Sequence, residues 1–198
     1  PGVHRRRLGQ LGAAANADPV ADPLGTLREA ARLQDAGQHD QALRLAETVL
    51  ASNPRLAAAH YRTGNLLMHL RRPREALGPL SNAVQLDPHT REHWNDRGLA
   101  YQALRDHALA IKDFSYVVER WPDHPQAWNN RAISRRQTGD PQGAVADCTR
   151  ALELEPAYVE AYANRANAYL NLRQFAKAEA DVTRALGLRA EVSLYGLR

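Results

Sequence analysis

Four sets of side chains in this sequence carry groups that could do chemistry, and their spacing limits what that chemistry is. Cys148 is the only thiol among 198 residues. A lone thiol excludes an internal disulfide framework and a cysteine metal cluster, leaving a Cys–His nucleophile as the reactive option. His89 and His93 stand at i, i+4, a separation that lets two imidazoles share a metal when both lie on one helix face. Arg97, Arg131 and Arg165 recur at a fixed step, as do Asp113, Asp147 and Asp181, a pattern that suits either a ligand site or paired charges. Asparagines recur at Asn95, Asn129, Asn130, Asn164 and Asn167. An amide both donates and accepts, which matches an extended peptide backbone regardless of its side chains. The sequence has no glycine-rich phosphate loop, HExxH or nucleophile elbow.

The fixed step is 34 residues, and it organises the chain. Stepping from Ala144 gives Ala42, Ala76, Ala110 and Ala178, and stepping from Pro156 gives Pro122, Pro88 and Pro54. A period held over five copies is a repeat architecture. Counting places from Pro23, the repeats span 23–56, 57–90, 91–124, 125–158 and 159–192. In each, places 1–14 are expected to form a helix A and places 17–30 a helix B. Gly37 and Gly139 sit at place 15, where a helix end in the left-handed region favours glycine. Asp106 and Asp140 at place 16 suit the N-cap of helix B, with Pro73 and Pro141 just inside its first turn. The proline at place 32 ends helix B. Helices of about four turns do not persist alone, so packing between them must hold the fold.

The frame assigns tasks to the reactive residues. Place 20 is always Ala, and place 27 is Val49, Ala83, Val117, Ala151 and Ala185, so two helices approach closely there. Trp94, Trp128 and Tyr162 at place 4, with Tyr101 and Tyr169 at place 11, fill the gaps between. Cys148 shares place 24 with Phe114 and Val182, which makes it a small buried hydrophobe rather than a nucleophile. His89 and His93 fall astride the loop between repeats two and three, off any common helix. No catalytic residue, metal site or cofactor is expected in this segment. The arginines take place 7 and the aspartates place 23, and repeat two lacks both, with Thr63 and Pro79 instead. A repeated Arg–Asp clasp is therefore expected, and the sequence leaves open whether it forms within or between repeats.

Trp at place 4, Gly at place 8 (Gly64, Gly98), Tyr at place 11, Ala at places 20 and 27 and Pro at place 32 resemble the tetratricopeptide repeat signature. The resemblance covers residues 23–192. Repeat one lacks the aromatic places, Ala132 and Ala166 replace Gly at place 8, and Ala190 replaces the last proline. The resemblance implies an all-α α-solenoid of antiparallel helix pairs, wound as a right-handed superhelix with the A helices lining its concave side. Places 2, 5, 6, 9, 12 and 13 of helix A should then face the groove. The candidate groove residues are Arg62, Asn65, Asn95, Leu99, Asn129, Asn130, Ile133, Asn164, Asn167 and Asn171. Asn is a poor interior helix former, so its recurrence on these faces asks for a function. Asn130 and Asn164 at place 6 are similar to the asparagine ladder of O-linked N-acetylglucosamine transferases, in which Arg62 and Asp96 break the series here. That similarity implies gripping of a peptide backbone. The carboxylate-clamp set of chaperone-tail binders is absent from any consecutive triplet of repeats.

Composition frames the alternatives. Apolar residues make up 44% of the chain, formal charge is +4, and of 26 basic residues only Lys112 and Lys177 are lysine. Such Ala- and Arg-rich usage points to a high-GC bacterial genome. Arg71, Arg72, Arg74, Arg105, Arg135, Arg136 and Arg173 gather near the A–B turns, so a basic edge that binds nucleic acid is a rival expectation. Acidic residues are interleaved there and no aromatic set accompanies them, which makes that rival the weaker one. Self-association of the solenoid ends is a third. No run is long enough to span a membrane and no signal peptide is visible, which favours the cytoplasm. Pro1 is not a translation start, so the native N-terminus is taken to be missing. Residues 1–22 read as an irregular leader with a basic Arg5–Arg7 cluster, and 193–198 as the start of a sixth helix A, LYGLR echoing AYANR at 161–165. The whole is expected to be a scaffold that binds a protein or peptide segment in its concave groove, as the recognition arm of a larger protein.

Overall fold

A computed structural model of the chain describes residues 20–195, with side chains described through 190. Ten α-helices and no strand occur among the described residues. They alternate as A and B: α1 (Pro23–Asp35) with α2 (His39–Ser52), α3 (Ala57–His69) with α4 (Pro73–Leu86), α5 (Arg91–Ala103) with α6 (His107–Arg120), α7 (Pro125–Gln137) with α8 (Pro141–Leu154), and α9 (Val159–Asn171) with α10 (Phe175–Tyr195). No described helix is long and apolar enough to cross a membrane.

Helices α1, α6 and α8 start on an aspartate cap. The Asp106 and Asp140 carboxylates accept from the backbone N–H of Leu109 and Gly143, at 3.3 and 2.8 Å, satisfying donors that the first turn leaves orphaned. Asp22 caps α1 in the same way at 2.8 Å from Gly25 N. Gly37 and Gly139 adopt φ of 75° and 84° at place 15. Arginine occupies that place in the other three turns, Arg71, Arg105 and Arg173, with φ of 60°, 63° and 57°. A residue with a Cβ is strained there by about 1–2 kcal/mol. Pro79 stands inside α4, where its ring removes one backbone hydrogen bond.

The core runs between the two helices of each pair and on to the next pair. Ala42, Ala76, Ala110, Ala144 and Ala178 are all buried, as are Val49, Ala83, Val117, Ala151 and Ala185. Places 8 and 24 face each other and are fitted by size. A Cβ on Gly64 would come within 2.6 Å of Leu80 Cγ, and one on Gly98 within 2.7 Å of Phe114 Cε1. Where place 8 is Ala132 or Ala166, its counterpart at place 24 is the smaller Cys148 or Val182. The substitution of Gly by Ala in these two repeats is thus compensated across the hairpin.

Two expectations are corrected. Val182, expected in the core beside Phe114 and Cys148, is 45% exposed, because place 24 is closed off by the A helix of its own pair and of the next together, as Ala132 and Ala168 cover Cys148. The expected boundary between a fifth repeat ending at 192 and a sixth helix A is not a helix boundary: α10 continues unbroken to Tyr195. Ala190 lacks the proline ring that ends the other B helices, so nothing stops the turn-by-turn hydrogen bonding there. The expected irregular leader and Arg5–Arg7 cluster lie, but for residues 20–22, outside the described residues, as do the last three positions.

Candidate functional site

The candidate site is the face formed by the A helices. Each A helix packs on the next A helix, α1 on α3, α3 on α5, α5 on α7 and α7 on α9, whereas no B helix touches the next B helix among the described residues. The A helices are therefore the inner, concave layer.

Several reactive residues are committed to structure. Arg97, Arg131 and Arg165 each grip the aspartate of their own repeat with two parallel bonds: 2.8 and 2.7 Å to Asp113, 2.8 and 2.7 Å to Asp147, and 2.8 Å twice to Asp181. The pairing is within one repeat. A third arm reaches the preceding repeat, from Arg131 to Ser115 Oγ at 3.2 Å and from Arg165 to Thr149 Oγ1 at 3.1 Å. The guanidiniums also lie over the aromatic rings of their own helix, Arg131 at 4.8 Å from the Trp128 centroid and Arg97 at 5.0 Å from Trp94. Burial pushes the Asp113 carboxyl upward, a tendency that its two bonds from Arg97 oppose. In repeat two the clasp is replaced by Thr63, buried with no hydrogen-bond partner for its Oγ1.

Cys148 is fully buried, and burial, with Asp147 next to it, pushes its thiol up to about 12. At neutral pH it is a thiol and not a nucleophile. His93 is buried in α5, its Nδ1 3.0 Å from the Asp87 carbonyl and its ring 5.0 Å from that of Tyr61, while His89 lies in the preceding turn. Tyr61, half-buried near Asp96, has its phenol pushed well above the usual range, by burial first and then by the Asp96 charge.

A second structural set was not legible as such in the sequence. The place-4 side chain of repeats two to five meets the carbonyl of the proline six residues earlier: His60 Nε2 at 2.9 Å from Pro54 O, Trp94 Nε1 and Trp128 Nε1 donating at 3.0 Å to Pro88 O and Pro122 O, and Tyr162 at 3.4 Å to Pro156 O. Trp, Tyr and His share a polar tip on a flat ring, which satisfies the turn carbonyl and fills the gap together. The signal was the combination of these three residue types with a proline at a constant offset.

The asparagines divide into two groups. Asn65, Asn95, Asn129, Asn130 and Asn164 cross-link neighbouring A helices. Asn130 donates to Asn95 Oδ1 at 3.4 Å and Asn164 to Asn129 Oδ1 at 2.9 Å. Asn95 donates to Asp96 Oδ1 at 3.2 Å, and Asn65 to Asp96 Oδ2 at 2.9 Å. Arg62 and Asn65 share the Gln34 amide, at 3.0 and 2.8 Å. Asn129, expected to face the groove, is only 4% exposed, with its amide 3.5 Å from Tyr158 Oη. Gln102 joins the lattice through Asn130 O at 3.0 Å and Ser134 Oγ at 2.9 Å. Gln34, Ser134 and Tyr158 were not singled out from sequence, although Gln34 and Gln102 share place 12. Asn167 and Asn171, by contrast, are exposed, and so is Leu170 between them.

Leu99 and Ile133 line an open cavity of about 540 Å³ with Met68, Ala103, Gln102 and Gln137, bounded by Arg105 and His107. The lattice of side chains ties the five A helices in series, and the cavity lies across α3, α5 and α7. The arrangement can hold a side chain; it has no group poised for bond making.

The repeat family agrees with this architecture. Family models described as tetratricopeptide repeat match residues 27–89, 95–159 and 148–180. A probable biofilm formation methyltransferase, WspC, of Pseudomonas aeruginosa is 34% identical over 108 residues, which cover 54% of this chain and only 26% of that protein. Among solved structures, MamA from Desulfovibrio magneticus is similar with a TM-score of 0.79 at 16% identity, covering 86% of this chain and 97% of the other. YrrB, described as a tetratricopeptide protein with an unusual peptide-binding site, is similar with a TM-score of 0.73 at 18% identity, covering 87% and 89%. The last two show the shared fold. With the family models matched over more than half of its length, the chain belongs to the tetratricopeptide repeat family.

Proposed function

We propose that this chain is a protein-interaction module that holds an extended segment of a partner protein in its concave groove. The observation that carries the proposal is the cavity across α3, α5 and α7, where the aliphatic Met68, Leu99 and Ile133 sit beside Gln102 and Gln137 on a face pre-set by hydrogen bonds between A helices. A preorganised groove lowers the ordering cost of binding, and an aliphatic floor supplies the burial that amides alone do not. The exposed Asn167, Leu170 and Asn171 extend the same face into repeat five. YrrB, of similar fold, is described as having a peptide-binding site, which supports the same use of the fold here. The module serves as the recognition arm of a larger protein, a role supported by the methyltransferase relative, of which the matched stretch is 26%.

The test is selection of random peptides displayed on phage against the immobilised chain, beside an Ile133→Arg variant whose helical circular dichroism is unchanged. The expected result is enrichment of peptides by the wild type that the variant fails to hold. Equal recovery by both removes the groove.

A further inference from the structure

The cavity also carries information about the partner's chemistry. Its floor is aliphatic and none of its lining residues is Trp, Tyr or Phe, so it offers no platform on which a nucleic-acid base could stack. Its rim is cationic at Arg105, which follows α5 in the A–B turn of repeat three. Arg105 is exposed, and its guanidinium has no carboxylate partner among the described residues. Its backbone takes φ of 63°, in a turn where repeats one and four use Gly37 and Gly139. The backbone there is strained for any residue with a Cβ and would be relieved by glycine. Beside it, His107 opens α6 with its Nδ1 shielded from solvent and without a hydrogen-bond partner. The carboxylate next in sequence, Asp106, accepts from the Leu109 N–H as the cap of α6 and forms no ion pair with Arg105 among the described residues.

We infer that the cavity receives an aliphatic side chain of the partner segment while Arg105 holds a carboxylate of the same segment. The groove thus selects acidic–aliphatic peptide motifs. This deepens the groove assignment and rests on it. The aliphatic residue supplies burial against Met68, Leu99 and Ile133, and the carboxylate supplies register, since a planar guanidinium pairs with it in a fixed orientation.

The phage selection tests this when the enriched peptides are sequenced and one is synthesised with a fluorescent label. The expected peptides carry Asp or Glu within two positions of Leu, Ile, Val or Met. Arg105→Gly is then expected to raise Tm, because it relieves the turn, and to weaken the labelled peptide about tenfold, the scale of one charge-assisted hydrogen bond. Peptides that depend on Ile133 but lack the acidic–aliphatic pairing, or an Arg105→Gly variant with unchanged affinity, overturn the inference and leave the groove in place. Peptides indifferent to Ile133→Arg, or steeply salt-dependent binding of labelled oligothymidine in preference to every peptide, overturn both.

Discussion

Arg131 and Asp147 face each other across one helical hairpin with two parallel bonds of 2.8 and 2.7 Å, at 8% and 2% exposure. Arg135 adds a third contact to the same carboxylate at 3.0 Å. Two charges this deep are tolerated only because each is the other's partner. Asp147→Ala leaves two guanidiniums facing an empty site, and a loss of about 3–5 kcal/mol is expected. The double variant Arg131→Met with Asp147→Leu, which removes both charges, should lose much less. Urea unfolding of the three variants measures this, and a single substitution no worse than the double would show that the pair carries no structural weight.

Gly98 and Phe114 make the complementary case in apolar terms. A methyl on Gly98 would overlap the Phe114 ring at 2.7 Å, so Gly98→Ala is expected to cost about 1–3 kcal/mol. Phe114→Cys alone opens a cavity, and the double variant, which reproduces the Ala132–Cys148 pairing found one repeat later, should lose less than the sum of the two single losses. Additive losses in the double variant would mean that the two places do not share a contact.

These pairs mark what the sequence could and could not convey. The alanines of place 20 and the Gly, Asp and Pro of the turns act through size and local backbone geometry, so the helices appear where the 34-residue frame puts them. Arg131 and Asp147 were recognisable as partners because they occur and disappear together, but a 34-residue period is the same whether the pair closes within a repeat, as here, or between two. Val182 was not legible, because its burial depends on a following hairpin rather than on its own type. Neither was Asn129: an amide on a helix face reads the same whether it meets solvent or, as here, Asn164 one repeat away. The continuation of α10 through Ala190 rests on the absence of a stop signal, which a periodic frame overrides too readily.

Arg71 and Arg173 repeat the strained turn of Arg105 without lining its cavity. Replacing either by Gly is expected to raise stability by about 0.5–1 kcal/mol, the relief of the left-handed residue less the extra freedom of glycine in the unfolded chain. The combined variant should add the two gains, as the turns are separate. Thermal unfolding is the measurement, and a fall in Tm would assign these side chains a stabilising contact.

The polar tip of Trp128 has a task distinct from its ring. Trp128→Phe keeps an aromatic face under Arg131 but leaves the Pro122 carbonyl without its 3.0 Å donor. A loss of about 1 kcal/mol is expected from the bond, with more from the smaller ring. Trp94→Phe is milder because Tyr116 Oη also reaches the Pro88 carbonyl, at 3.3 Å. Chemical unfolding of the two variants side by side distinguishes them, and equal losses would leave only ring volume as the cause.

His124, the residue before α7, gives the fold a pH dependence near neutrality. Burial, followed by the positive charge of Arg91, lowers its pKa below the ordinary imidazole value, against the pull of Glu92 and Asp123. A depressed pKa in the folded state means that the unfolded chain takes up the proton first as pH falls. The contribution of neutral His124 is therefore complete above the ordinary imidazole pKa and is lost progressively as pH drops through that value and then through the lower folded one. Stability should decline as pH falls from neutrality through the ordinary imidazole value and beyond it, and His124→Gln should flatten that decline. The difference between the two unfolding midpoints, followed across this range, isolates His124 from the other histidines. Parallel curves would mean that its protonation is not coupled to folding.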